Sequence, residues 1–287
     1  MAYNVDSDFG KLSDYVKENQ GIILKDIVFG NAYGYTIPIM AKQLGIKTSE
    51  KIHPSIVEVI LQDVTGCGFD EAGDLKFSER TITTHQKKVN MSFCAEDLKG
   101  KFAEYKVRVG ANEDALPFEA EILEGVVKSI AKQAEEIVWN DLKNAEGVAP
   151  LSITDNGAYE CILEAYRKME VEVLEDGIIF VSPAMFRNYV LDLVNKNLYH
   201  YNPANGDLNE IFVPGANVKV RKAIGLQNNE IFATSPKNMI YGTDFLSNTE
   251  EIKVWFSDDD DVYKLKVRFN LGANVAFPDL VTYLRVE

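Results

Sequence analysis

The side chains able to do chemistry are few in this chain, and they are scattered. Three histidines, His53, His85 and His200, each stand alone. None has a second ligand three or four residues away, the spacing that would put two donors on one helical face around a metal. Cys67, Cys94 and Cys161 are odd in number and widely separated, so they indicate neither a disulfide framework nor a metal knuckle and read as reduced thiols. Residues 258–261 are four consecutive aspartates, the densest charge run. A calcium loop starting there needs glycine at its sixth position and glutamate at its twelfth, where this chain has Tyr263 and Phe269. The run reads as a solvated hairpin tip, with weak cation binding at a symmetry axis as the alternative. The chain has no GxxxxGK[ST] loop to cradle phosphates, no GxGxxG after a strand, no GxSxG and no HExxH. Asn90, Met91 and Ser92 match a glycosylation sequon without a secretory segment to give it context. These residues lead to no catalytic, cofactor or metal site, and the expectation is a protein that is not an enzyme.

Composition narrows the class. The 287 residues suffice for one large domain or two modest ones, and 46% apolar with 26% charged is ordinary for a soluble globular chain. A net charge of −14 argues against a nucleic-acid reader, which would carry a basic face, and is compatible with an acidic shell that repels DNA. No run of eighteen apolar residues exists, and the first residues have neither a basic nor an apolar leader region. A protein made and used in cytoplasm, away from membranes, is expected.

The element that must position everything else is residues 117–143. Pro117 suits a first helical turn, and Glu119 and Glu121 put negative charge near its N-terminus. Ile122, Leu123, Val126, Val127, Ile130, Ala134, Ile137, Val138 and Leu142 then recur at three- and four-residue spacing and make one wide apolar stripe. At 1.5 Å per residue this helix is roughly 40 Å long, a spine for different parts of the protein to pack along. Gly125 within it suggests a close backbone approach.

Around the spine the pattern is mixed. A short amphipathic helix is expected over residues 8–19, stopping at Gly21, followed by an irregular arm over residues 30–40. Residues 55–65 and 76–94 have strand composition and flank the turn signal GCGFDEAGD at residues 66–74; together they predict a long two-stranded ribbon. An isolated ribbon is marginal in water, so it needs a partner surface. A short helix is expected from about Ala95 and a linker at residues 146–152. Beyond it, residues 153–251 read as a compact α/β unit. That unit has a helix capped by Thr154 or Asp155, a strand at residues 177–181, and a helix from Pro183 to Asn195 with Ser182 as N-cap. Strands follow at residues 217–221 and 230–234, and residues 252–269 form an alternating hairpin.

This order of elements, with the segments KKVNMSFCAEDLKGKF, PKNMIYGTDF and IKVWFSDDDDVYKLKVRFNLGANVAFPDLVTYL, resembles the major capsid proteins of tailed bacteriophages, over nearly the whole chain. The phrases KNMIYGTDF and GANVAFPD look like capsid proteins from phages and prophages of gut bacteria. The resemblance implies an α+β chain with the Hong Kong 97-type capsid fold. Its parts would be an N-terminal arm (residues 1–45), an extended β-hairpin loop (46–94), a peripheral domain with the spine (95–150 and 252–287) and an axial α/β domain (151–251).

What the resemblance implies for function is self-assembly into the icosahedral shell around double-stranded DNA, through hexamers and pentamers, as part of the virion after assembly in the bacterial host cytoplasm. Partners would be further copies of the chain, a separate scaffolding protein, a portal, and packaged DNA without sequence readout; no membrane and no cofactor is implied. The arm begins at once, so a mature-length product or a separate scaffold is expected. Tyr33, Tyr35, Phe77, Arg80, Lys87, Lys88, Glu135 and Glu136 are the candidate subunit contacts. The archetype links a ribbon lysine to a peripheral asparagine. Lys76, Lys87 and Lys88 and Asn270 and Asn274 offer both residue types, but no spacing singles out a pair, and that chemistry is not carried over. Two other readings stand beside this one: an encapsulin-like cellular compartment, and an unrelated cytoplasmic α+β enzyme or binding module.

Overall fold

Two long helices and two β-sheets organise the chain. The computed structural model describes residues 5–29, 35–60, 73–77, 79–94, 118–198, 209–244, 251–260 and 262–287. Helix α1 spans Val5–Phe29. Six strands follow: β1 (Ala41–Leu44), β2 (Ser49–Ile52), β3 (Ser55–Val59), β4 (Gly73–Phe77), β5 (Arg80–Thr83) and β6 (His85–Cys94). The spine α2 is Phe118–Lys143. After it come β7 (Leu151–Ile153), α3 (Ala158–Lys168), β8 (Ile178–Val181) and α4 (Pro183–Asn195). The remainder is β9 (Glu210–Phe212), β10 (Lys219–Lys222), β11 (Glu230–Thr234), β12 (Met239–Thr243), β13 (Glu251–Ser257), β14 (Val262–Val275) and β15 (Thr282–Val286).

The spine begins one residue after the expected start and ends at the expected residue. Leu123, Val127, Ile130, Ala134, Val138 and Leu142 are buried as the periodicity requires, with Val126 and Ile137 half-buried beside them. Gly125 does not mark a close approach: a Cβ there would meet nothing within 4 Å. Helix α1 is longer than expected, because it runs straight through Gly21. Beyond that glycine, Ile23, Leu24, Ile27 and Val28 are buried in the cluster that α1 shares with α2 and β13. Burying four such side chains is worth several kcal/mol, more than the roughly 1 kcal/mol a mid-helix glycine costs.

The five-stranded sheet has the order β1-β12-β14-β13, with β6 paired along the other side of β14. Its inner face is apolar: Ile252 and Val254 from β13, and Leu265, Val267, Phe269 and Leu271 from β14, pack under α1 and α2. The alternation expected over residues 252–269 is therefore real. Pairing corrects two assignments. Residues 85–94 are not ribbon; they form β6, in register with β14 from Val262↔Cys94 to Leu271↔His85. Residues 239–243, expected in the α/β unit, form β12 of this sheet.

The six-stranded sheet runs β7-β15-β11-β8-β10-β9. Here β15, expected to return with the C-terminal hairpin, pairs with β11 instead. One face presents Phe180, Phe232 and Tyr283 in a row across three strands to the spine's Trp139, whose ring lies 5.1 Å from Phe180 and 5.5 Å from Phe232. The other face, with Ile179, Val181, Ile231, Ala233 and Leu284, is covered by α3 and α4. Ser182 caps α4 as expected, its Oγ accepting from the Met185 amide at 3.1 Å, with Pro183 in the first turn. Neither Thr154 nor Asp155 caps α3. Its N-cap is Gly157 at φ 94°, and the Asp192 carboxylate of α4 accepts from the Tyr159 amide instead.

Candidate assembly surfaces

Among the described residues, strands β3 and β4 pair only with each other, in register from Ser55↔Phe77 to Val59↔Gly73. Phe77 is 70% exposed and Ile60 55% exposed, apolar surface that the described residues of the chain leave in water. The ribbon stands on a base made by β2 and β5, in register from Ser49↔Thr83 to Ile52↔Arg80. That base is seated on the five-stranded sheet where two glycines face each other, Gly242 opposite Gly272. A Cβ on Gly272 would lie 2.1 Å from the Thr83 carbonyl oxygen, and one on Gly242 would lie 2.8 Å from Ile82 Cγ2. Glycine at these two positions lets the base touch the sheet backbone. Asn274 Nδ2 donates to the Thr81 carbonyl at 2.8 Å and fixes the same contact. Arg80 Nη1 donates to the Glu146 carbonyl at 3.1 Å, tying the base to the end of the spine.

The segment after α1 is held by a buried carboxylate. Glu135 is fully buried and accepts from the Thr36 amide at 2.9 Å, the Ile37 amide at 3.2 Å and the Trp139 indole at 3.1 Å, besides a close contact with the Thr36 hydroxyl. Burial pushes its pKa above the ordinary carboxylate value, against the opposing pull of those donors. Arg221, which also pairs with Glu210 at 3.1 Å, donates to the Tyr35 carbonyl at 3.3 Å.

These contacts correct two of the sequence-predicted surface residues. Tyr35 is buried, its hydroxyl donating to the Lys128 carbonyl at 3.3 Å, and Glu135 is consumed by the interaction with Thr36, so both side chains work inside the chain. The periodicity places Glu135 on the same side of the spine as Ala134 and Trp139. The sequence signal for it was a carboxylate on an apolar stripe. Lys88 and Phe77 are exposed, Arg80 and Lys87 half-buried, and Glu136 is exposed on the spine, 3.8 Å from Lys132. Tyr33 lies outside the described residues, as do His200, Cys67, Asp261 and the helix expected from Ala95.

The remaining candidates stay apart. His53 and His85 are exposed, Cys94 is exposed and Cys161 buried. Among the described residues no three His, Cys, Asp or Glu side chains lie close enough to hold a metal, and no helix is long and apolar enough to cross a membrane. A polar cleft of about 360 Å³ beside α3 is lined by Thr154, Glu160, Cys161, Glu164, Arg167 and Lys168. Burial pushes the Cys161 thiol up, away from the thiolate form a nucleophile needs.

Solved structures identify the architecture. The satellite phage P4 procapsid, described as including a size determination protein, superposes with a TM-score of 0.58 at 9% identity, over 93% of this chain and 90% of that one. The capsid of cyanophage P-SCSP1u gives 0.51 at 11% identity, over 87% and 86%. This is the phage capsid fold. The capsid fold accounts for the order read from sequence, helix α2 as spine between a ribbon and two sheets, and it is of the Hong Kong 97 type. A virus-like particle from Pyrococcus furiosus matches as well, with a TM-score of 0.51 at 10% identity, over 92% of this chain and 96% of that one. No family model matches the sequence, and no curated protein matches it either.

Proposed function

We propose that this chain is a shell subunit, the major capsid protein of a tailed phage or prophage. It self-assembles through hexamers and pentamers into an icosahedral shell that encloses double-stranded DNA without reading its sequence. The observation that carries the reading is the ribbon: among the described residues β3 and β4 pair only with each other and leave Phe77 exposed, on a chain with the capsid fold over nearly its whole length. A two-stranded ribbon is marginal alone, and open strand edges are ordinarily paired or covered, so a neighbouring subunit is its natural support. Repeated contacts of one surface with a different one close into rings. The role is structural, with no catalytic residue assigned. A separate scaffolding protein and a portal are the further partners, and the virion, assembled in the host cytoplasm, is the destination.

A second reading, a cellular compartment shell, draws support from the likeness to the Pyrococcus particle over 96% of that chain. Expression of the full chain, followed by size-exclusion chromatography and negative-stain imaging, tests both. Closed shells, tubes or rings of five or six subunits are expected. Particles that protect DNA from nuclease favour the virus, and particles without DNA that carry a cargo protein favour the compartment. A chain that stays monomeric at high concentration, with a deep pocket that binds a small molecule, would overturn both.

A further inference from the structure

Residues 237–244 and 272–279, KNMIYGTD and GANVAFPD, are far apart in the chain and side by side in the structure. Each borders a passage between the two large sheets. Among the described residues, two strand-to-strand connections join those sheets: residues 235–238 lead from β11 to β12, and residues 276–281 lead from β14 to β15. Both turn at a proline, in single-turn 3-10 helices at Pro236–Asn238 and Pro278–Leu280. Asn238 sits between them, 5% exposed. The β12–β14 ladder runs one pair past Met239↔Val275, with the Ala276 amide donating to the Asn238 carbonyl at 2.9 Å. The Asn238 carboxamide then takes up both backbone groups of Phe277. Its Oδ1 accepts from the Phe277 amide at 2.7 Å, and its Nδ2 donates to the Phe277 carbonyl at 2.9 Å. Nδ2 also donates to Thr234 Oγ1 at 2.9 Å, and that hydroxyl donates to the Leu280 carbonyl at 2.9 Å. One side chain thus fastens the first connection to the second, and the relay through Thr234 reaches the second connection's far end.

A carboxamide offers a donor and an acceptor together, as the backbone of a neighbouring strand would. Carried on one connection and bonded to the other, it turns two loops that could flex separately into one joint. The loop leaving the spine meets the same point: Gly147, at φ 83°, faces Pro278, and a Cβ added there would lie 3.0 Å from Pro278 Cβ. Apolar packing between the sheets is non-directional, whereas hydrogen bonds fix distances and angles. We infer that Asn238 is the clasp of an inter-sheet joint, and that it sets the angle between the two sheets and, through that angle, the curvature at which copies of the chain close. The part concerning curvature rests on the shell-subunit reading. Contacts between unlike surfaces close only when the rotation per subunit fits. A subunit whose two sheets swing against each other offers a range of rotations, so its assemblies scatter in size and shape.

Two variants of the full chain test this. Asn238→Ala releases Phe277, and Thr234→Val keeps Phe277 bound while cutting the relay to Leu280. Amide exchange is read on the dilute, unassembled chain, and particle diameters by negative stain after assembly. In Asn238→Ala the Ala276 and Phe277 amides are expected to exchange about tenfold faster, with interior amides of β8, β11 and β14 within about twofold of wild type. Its particles should form with a spread of diameters at least about twice that of wild type, tubes and open sheets among them. Thr234→Val should move both readings the same way by less. Unchanged exchange in Asn238→Ala would overturn the clasp. Faster exchange with particles of wild-type diameter and spread would overturn the link to curvature and leave the shell reading intact. Loss of protection throughout both sheets in both variants would place Asn238 in the core of the fold and overturn the joint. A wild type that forms no assembly under any condition removes the shell reading and the curvature role with it, and the clasp is then decided by exchange alone.

Discussion

The Thr36 amide donates to the Glu135 carboxylate at 2.9 Å across 99 residues of sequence, and the Trp139 indole, 2.8 Å from the Thr36 hydroxyl, closes the cluster. One helical turn of the spine thus fastens the segment that follows α1. Truncation by Glu135→Ala would leave the Thr36 and Ile37 amides buried without an acceptor, at about 1–3 kcal/mol each. A loss of roughly 2–5 kcal/mol in chemical denaturation is expected. Glu135→Gln keeps the shape and one acceptor and should cost about half as much. Its pH dependence carries a sign. Burial raises the folded-state pKa of Glu135, so protonation stabilises the fold fully below the ordinary value of 4.5 and that contribution fades as pH rises through the folded value. The non-titrating glutamine lacks it. The stability gap between wild type and Glu135→Gln should therefore widen as pH falls from neutrality toward 4.5, and a gap that narrows would mean the donors, and not burial, dominate.

Glu230 behaves in the opposite sense. Its side chain is 2% exposed and joins the spine to the six-stranded sheet: Lys143 at 2.9 Å, Tyr283 hydroxyl at 2.7 Å and the Gln227 amide at 2.9 Å. Burial alone would raise its pKa, but the Gln227 amide, Lys143 and Tyr283 together hold it below the usual range, while burial first, and then the contact with Glu230, push the Tyr283 hydroxyl up to about 12. The stabilisation is complete above pH 4.5 and lost as pH falls through the folded value. Glu230→Gln should cost about 2–4 kcal/mol at pH 7, leaving Lys143 poorly paired, and the difference from wild type should shrink below pH 4. Denaturant melts at pH 7 and pH 3.5 would show it; an equal loss at both would refute the ionic account.

How much of this was legible beforehand differs by element. Periodicity located the spine to within one residue, and the Ser182–Pro183 pair set the start of α4, because both signals are local to the chain. Strand partners are not local. The composition of β6 fitted a ribbon as well as a sheet, and only the long complement in β14 decided it. In the same way β12 and β15 exchanged sheets, since nothing in their residues encodes which edge is vacant. Trp139, a single aromatic one residue off the predicted stripe, reads as incidental in the sequence, although it is fully buried between Phe180 and Phe232.

Two glycines of the chain make a matched pair of predictions. At Gly125 a methyl group has open space and the backbone is helical, so Gly125→Ala should raise stability by about 0.5–1 kcal/mol. At Gly272 a methyl would overlap the Thr83 carbonyl, 2.1 Å away, and backbone cannot swing aside as a side chain does. Gly272→Ala should lower stability by roughly 1–3 kcal/mol, and it should unseat the ribbon base, seen as faster amide exchange at Thr83 and Thr84. Gly272→Ala that melts as wild type does would show that the base is not seated on β14.

The last prediction separates the ribbon from the fold. Replacing residues 56–76 by Asn-Gly would join Ser55 to Phe77 through a two-residue hairpin turn. Ile60 and Gly73, the two residues of that stretch whose exposure is described, are exposed, while the β2–β5 base and β6 remain, with Ile82 still buried against Gly242. The variant should melt within a few degrees of wild type, because the described core clusters and the strands of both large sheets are left in place. Its assembly should be abolished or reduced by at least about tenfold, as the surface proposed to reach a neighbour is gone. A deletion extended through residues 85–94 should behave differently. It would strip β6 from β14, remove Val89 and Phe93 from the edge of the core and expose one side of the fourteen-residue strand, so that variant should fail to fold. Chromatography and thermal melts of the two side by side decide the matter. Normal shells from the ribbonless chain would sink the assembly role assigned to β3 and β4, and instability of the short deletion would mean that the ribbon belongs to the fold of its own subunit.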